Sequence, residues 1–170
     1  MTSVVMTLVG PDRPGLVEKV SDVIRQHEGN WLESRMAHLA GQFAGIVRID
    51  VADDRIADLT KQLQCLSDQQ LTIVTATDTN IAQPPLSSPM TVQVVGNDRP
   101  GIVKRITGVL SSHDVNVEEL TTECKDAPHS GGSIFQATAR LRIPEGMSID
   151  LLQDELERIA TDLMIDISIE

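Results

Sequence analysis

The residues best suited to chemistry in this chain lie in two short runs of the same make. Gly10-Pro11-Asp12-Arg13-Pro14-Gly15 and Gly96-Asn97-Asp98-Arg99-Pro100-Gly101 each follow a short apolar segment and precede a helical pattern. A helix start offers backbone N–H groups without intrahelical partners and a partial positive charge, which together suit a carboxylate. Asp12 or Asp98 beside it would complement an ammonium group, and the glycines allow a ligand close to the backbone. Asn30 and Asn116, each carrying a donor and an acceptor, begin the strand that follows each helix. In this kind of fold that strand start can lie close to the turn of a neighbouring module. Taken together, these groups describe a receptor for a zwitterion. The competing reading is structural: an Asp ahead of a Pro-initiated helix is commonly a cap, and Gly-x-x-x-x-Gly alone is a weak binding signal. On that reading Arg13 and Arg99 make only local ion pairs.

The elements that must position these runs come as a repeat. Val9 to Val17 recurs as Val95 to Val103, 86 residues on, and the same spacing pairs Lys19 with Arg105, His27 with His113, Asn30 with Asn116 and Glu33 with Glu119. Phe43 and Arg48 match Phe135 and Arg140 at a spacing of 92. The added residues belong around Lys125 to Gly132, a Pro/Ser/Gly-rich stretch with loop chemistry, as expected when a duplicated fold gains an insertion. In the first copy Val4–Val9 reads as a strand, and Pro14 opens a helix whose Leu16, Val17, Val20, Val23 and Ile24 form one apolar stripe. Gly29 stops it. Strands follow at Asn30–Leu39 and Gln42–Val51 across an Ala40-Gly41 turn, with Phe43, Gly45, Val47, Ile49 and Val51 on one face. A second helix presents Ile56, Leu59, Leu63 and Leu66, and Leu71–Ala76 closes the unit. The second copy gives Met90–Val95, Pro100–His113, Val115–Glu123, Ser133–Ile143, Ser148–Leu163 and Met164–Ile169. The order βαββαβ predicts an α+β chain of two ferredoxin-like modules, with antiparallel sheets and helices on one face. Their expected limits are 1–77 and 90–170, with a Pro/Ser-rich linker at 78–89. Such a module leaves one sheet face and the sheet edges uncovered, which predicts association between modules and a homo-oligomer, most simply a dimer.

Composition narrows the function. The chain has 170 residues, 41% hydrophobic, with a net charge of -11. Both halves are acidic and neither is a basic arm, which disfavours direct nucleic-acid binding. One tryptophan, Trp31, and no tyrosine cannot supply base-stacking platforms, so Trp31 reads as packing. Cys65 and Cys124 lack disulfide or zinc spacing and a basic neighbourhood. His27 and His113 fall at equivalent helix ends, where a cation suits the dipole. Asp53-Asp54 and Glu118-Glu119 lack the further ligands of a calcium loop. No run of apolar residues is long enough to span a membrane, and the start has no basic n-region, so a soluble cytoplasmic chain is expected. No GxSxG, HExxH or P-loop pattern occurs, so neither an enzyme, a metal nor a cofactor is expected.

The strand followed by Asp-Arg-Pro-Gly, the later Asn and the βαββαβ order resemble ACT domains, twice, over nearly the whole chain. That resemblance implies small regulatory modules that bind amino acids at interfaces between paired copies. Two such domains without an attached enzyme resemble the glycine cleavage system transcriptional repressor family, which implies regulation by contact with a DNA-binding activator and a response to an amino acid, glycine among the candidates. Carried over, the ligand region falls on Gly10, Pro11, Asp12, Arg13 and Gly15 with Asn30, and on Asn97, Asp98, Arg99 and Gly101 with Asn116. The copies differ at Pro11 against Asn97, so one site can bind where the other does not. Two other readings stay open on sequence alone: a freestanding ACT subunit docking on an enzyme of amino-acid metabolism, and a repressor that itself binds DNA.

Overall fold

The structure, a computed structural model, describes residues 2–66, 71–77, 89–126 and 132–170. It divides into two compact units, Met1–Ile81 and Ala82–Glu170. The first contains β1 (Thr2–Pro11), α1 (Leu16–Gln26), β2 (Asn30–Leu39), β3 (Gln42–Val51), a single 3-10 turn at Asp53–Arg55, α2 (Ile56–Cys65) and β4 (Thr72–Thr77). The second contains β5 (Pro89–Asn97), α3 (Ile102–Ser112), β6 (Asn116–Asp126), β7 (Ser133–Arg142), α4 (Ile149–Leu163) and β8 (Ile165–Ile169). Each sheet is antiparallel, ordered β2-β3-β1-β4 and β6-β7-β5-β8, the ferredoxin-like arrangement. Most of the 78–89 stretch and the centre of the inserted loop lie outside the described residues.

Strand alternation separates the faces. Val4, Met6 and Leu8 of β1 and Val47, Ile49 and Val51 of β3 are buried against Val20, Val23 and Ile24 of α1 and Leu59 and Leu63 of α2. The second unit repeats this with Val92 and Val94, Leu141, Ile102, Ile106 and Leu110, and Leu152 and Leu156. Trp31 packs against the first core, as its lone occurrence predicts. Both outer strands carry an irregularity at the same place, between Trp31 and Glu33 and between Val117 and Glu119. Copies that share even a bulge share one backbone plan.

Three local readings are corrected. Pro14 and Pro100 do not open helices; α1 starts at Leu16 and α3 at Ile102. Gly15 (φ 86°, ψ 4°) and Gly101 (φ 95°, ψ 0°) are left-handed N-caps that fit the third position of a type II turn, with proline before them. A left-handed residue cannot belong to the helix, so the start slips two residues past proline. Gly29 is not the left-handed stop, since Glu28 takes that conformation (φ 55°) and Asp114 repeats it (φ 54°). Gly29 donates its N–H to Ile24 O and lies so near Ile24 that a Cβ would meet Cγ2 at 2.9 Å. Finally, Met164 precedes β8 as a left-handed cap (φ 53°) instead of belonging to the strand.

Candidate functional site

Each turn is held at the tip of its sheet by a backbone contact that the chemistry of its side chains does not require. Asp12 N–H donates to Gly41 O at 2.9 Å, and Asp98 N–H donates to Ser133 O at 2.8 Å. The first acceptor is the β2–β3 turn and the second is the start of β7, so the turn leans on the neighbouring hairpin in both units. The helix ladder begins directly after it, with Lys19 N–H on Gly15 O and Arg105 N–H on Gly101 O, both at 3.0 Å. Because the N-cap is glycine in each case, no cap side chain occupies the first-turn amides. The capping role considered for Asp12 and Asp98 is therefore not the one they play.

The Asp12 carboxylate turns toward β2, where His38 Nε2 stands 3.7 Å from Oδ2, both side chains about half exposed (47% and 56%). The equivalent position in the second unit, 86 residues on, is Cys124. Its thiol is pushed up, first by loss of water around Sγ and then by the Asp98 carboxylate beside it, although the residue as a whole is exposed. The fold thus places one side chain from the end of β2 or β6 over each turn Asp, a histidine in one copy and a cysteine in the other. Neither was singled out with the turn, yet the repeat spacing that pairs the two aspartates also pairs His38 with Cys124.

An open hollow of about 340 Å³ lies at the first turn, lined by Asp12, Arg13, Gly15, Leu16, Val17, Glu18 and Phe43. It combines a helix start, a carboxylate, a guanidinium and an aromatic wall, the mixture that fixes a small polar ligand in a partly apolar cleft. In the second unit the position of Glu18 is held by Lys104, which changes the sign of one charge at the helix start. Of the other residues named from sequence, Gly10 is buried in β1 opposite Phe43, and Pro11 ends that strand opposite Gln42. Asn97, Asp98 and Gly101 are exposed and Arg99 is half-buried.

Asn30 and Asn116 stand elsewhere. Asn30 pairs with Asp50 at the end of the sheet where Thr2 meets Val51, whereas the turn adjoins the end where Pro11 and Leu39 both meet Gln42. About nine strand residues, roughly 30 Å, separate them within one unit. Asn116, opposite Arg142, repeats that placement. A single module therefore does not join the asparagine to its own turn.

The remaining polar groups have local roles. His27 and His113 are the C-caps of α1 and α3, with His27 bonded to Gln62 and His113 3.1 Å from Glu155. Glu118 and Glu119 pair with Arg140, and Glu118 also pairs with Arg142. Among the described residues no group of three or more His, Cys, Asp or Glu is arranged to hold a metal ion, and no helix is long and apolar enough to cross a membrane.

The ACT domain family model matches residues 2–76 and 88–122. The chain is 24% identical over 160 residues to the glycine cleavage system transcriptional repressor of Escherichia coli, an alignment covering 94% of this chain and 84% of that protein. A crystal structure of a protein of unknown function from Galdieria sulphuraria is 28% identical, with a TM-score of 0.88 over 99% of this chain and 97% of that one. A second, assigned provisionally as a glycine cleavage system transcriptional repressor, is 21% identical with a TM-score of 0.73 over 99% and 96%, and shares the two-module fold.

Proposed function

This chain belongs to the ACT domain family, and on that premise we propose that it is a non-catalytic regulator that binds an amino acid at its β1–α1 and β5–α3 turns and acts by contact with a DNA-binding protein. The observation that carries the reading is the alignment with the Escherichia coli repressor, which runs through both modules and leaves little of either chain over. Both described units are regulatory modules of this one type, so in this reading the output passes through a partner. With a net charge of -11, a direct grip on phosphates is disfavoured and a basic protein surface is the better match.

In this proposal the ligand carboxylate meets the first-turn amides of α1 or α3, and its ammonium meets Asp12 or Asp98. Gly10, Pro11, Arg13 and Gly15, or Asn97, Arg99 and Gly101, shape the backbone and walls around it. Asn30 and Asn116 complete the site only from a neighbouring module, because each lies at the far end of its own sheet. Binding then favours one arrangement of paired modules and changes the surface offered to the partner. A ligand produces such a shift only through different affinity for the two arrangements, typically worth 1–3 kcal/mol.

Titration calorimetry of the full chain against glycine, serine and the other amino acids tests the ligand, and affinity capture from extract with and without the ligand that binds tests the output. The reading expects saturable binding of a small amino acid and a ligand-dependent change in capture of a DNA-binding regulator. Binding to DNA alone with a steep salt dependence, or capture of a metabolic enzyme in place of a regulator, would replace it.

A further inference from the structure

The hollow at the first turn holds more than a receptor for a plain zwitterion needs. Its lining sets two carboxylates, Asp12 and Glu18, against one guanidinium, Arg13, with Leu16, Val17 and Phe43 as apolar wall. In the binding mode proposed above, Asp12 answers the ligand's ammonium and the first-turn amides answer its carboxylate. Glu18 then has no counterpart in the ligand. It stands at the third position of α1 and folds back over the turn, with Oε2 3.7 Å from where a Cβ on Gly15 would sit. A carboxylate suits a helix start, but here it faces the same amides that an incoming carboxylate must use, and the two anions repel. The second copy is built otherwise. Lys104 takes the position of Glu18, 86 residues on, and nothing lies within 4 Å of a Cβ on Gly101. The fold therefore does not require an acid at this position.

The volume of the hollow, about 340 Å³, points the same way. At about 30 Å³ for a water-sized group, the five heavy atoms of glycine fill less than half of it, whereas the ten of lysine fill most of it.

We propose that this hollow selects an amino acid whose side chain ends in a cation, and that Glu18 is the residue that sets the preference. With the amino-acid reading as its premise, this selection names the class of ligand that the first turn takes. The side-chain cation meets Glu18 and offsets the repulsion between that carboxylate and the ligand's own. Leu16 and Val17 receive the aliphatic stem, and half-buried Phe43 offers it an aromatic wall. A small neutral amino acid enters the same hollow but leaves the repulsion standing, and an acidic one adds to it. Arg13 does not reverse the sign, because two carboxylates against one guanidinium leave one negative charge in excess in the lining.

Calorimetry and amide shift mapping of the full chain with lysine, norleucine and glutamate test the selection. Norleucine is lysine without the side-chain amine, and shifts at Leu16 to Glu18 report the first turn apart from the second. Lysine should bind there about three- to fivefold tighter than norleucine, the scale of an exposed ion pair, and glutamate more weakly than either. Glu18→Gln should erase the advantage of lysine. Glu18→Lys, which installs the residue of the second copy, should reverse the order so that glutamate binds tighter than lysine. Glu18 is exposed, so circular dichroism and melting of both variants should match the wild type. Equal affinity for lysine and norleucine at the first turn, or a lysine preference that survives Glu18→Gln, would overturn the selection while the amino-acid reading stands. No binding of any amino acid at the first turn would overturn both.

Discussion

Asp12→Asn and Asp98→Asn, made singly and together, separate the two turns. Asparagine keeps the shape of the side chain and removes only the charge. The backbone N–H bonds to Gly41 O and Ser133 O do not involve the side chain and survive. Asp12 is 47% exposed, so an ammonium held there remains partly in water, and its loss should cost about 1–1.5 kcal/mol, between an exposed ion pair and a buried charged hydrogen bond. That corresponds to roughly a 5- to 12-fold rise in Kd at the affected site. Each single variant should leave one strong class of site per chain if both turns bind. If Asn97 in place of Pro11, or Lys104 in place of Glu18, has silenced one of them, one single variant should have no effect. Losing the His38 pair should change stability by no more than about 0.5 kcal/mol, because both partners are half exposed. Calorimetry gives affinity and stoichiometry, and a denaturant melt checks the fold. A double variant that binds the amino acid as tightly as wild type would refute the assignment of the ammonium to these carboxylates.

Further outcomes follow from the same geometry. Gly101→Ala should destabilise the chain by about 1 kcal/mol in urea, since its left-handed φ of 95° is the only obstacle and nothing lies within 4 Å of the new Cβ; a neutral result would mean the turn relaxes freely. Leu59→Ala and Leu152→Ala, at side chains 1% and 0% exposed, should each cost 2–5 kcal/mol in a denaturant melt, and a loss below about 1 kcal/mol would contradict the packing described. Cys124, whose thiol is pushed up by loss of water and by Asp98, holds less thiolate at a given pH than it otherwise would, so Asp98→Asn should speed its alkylation near pH 8. A rate unchanged by that substitution would remove Asp98 from the environment of the sulfur.

The repeat made the architecture legible because duplication copied both the hydrophobic periods and the Gly/Pro punctuation. The alternation of Phe43, Gly45, Val47, Ile49 and Val51 in β3 is a direct consequence of a period of two, and the Ala40-Gly41 turn separates β2 from β3. What stayed hidden was set by φ or by distant contact. A proline before a helical stripe looks like a first-turn residue, and only the left-handed Gly15 shows that the helix begins after it. Gly29 looked like the stop, while Glu28 accepts the strained conformation because the Gly29 amide can then close on Ile24 O. His38 and Cys124 were visible as residues but not as partners of the turn, since they reach it only once β2 and β6 are folded into hairpins.

The central claim is that the starts of α1 and α3 receive an amino acid, and amide chemical-shift mapping of the labelled full chain addresses it most directly. Addition of the amino acid that binds should shift the backbone N–H signals of Leu16 to Glu18, of Ile102 to Lys104, or of both sets, saturably and together with their preceding turns. No saturable shift with any amino acid, or shifts confined to residues remote from both turns, would contradict the account.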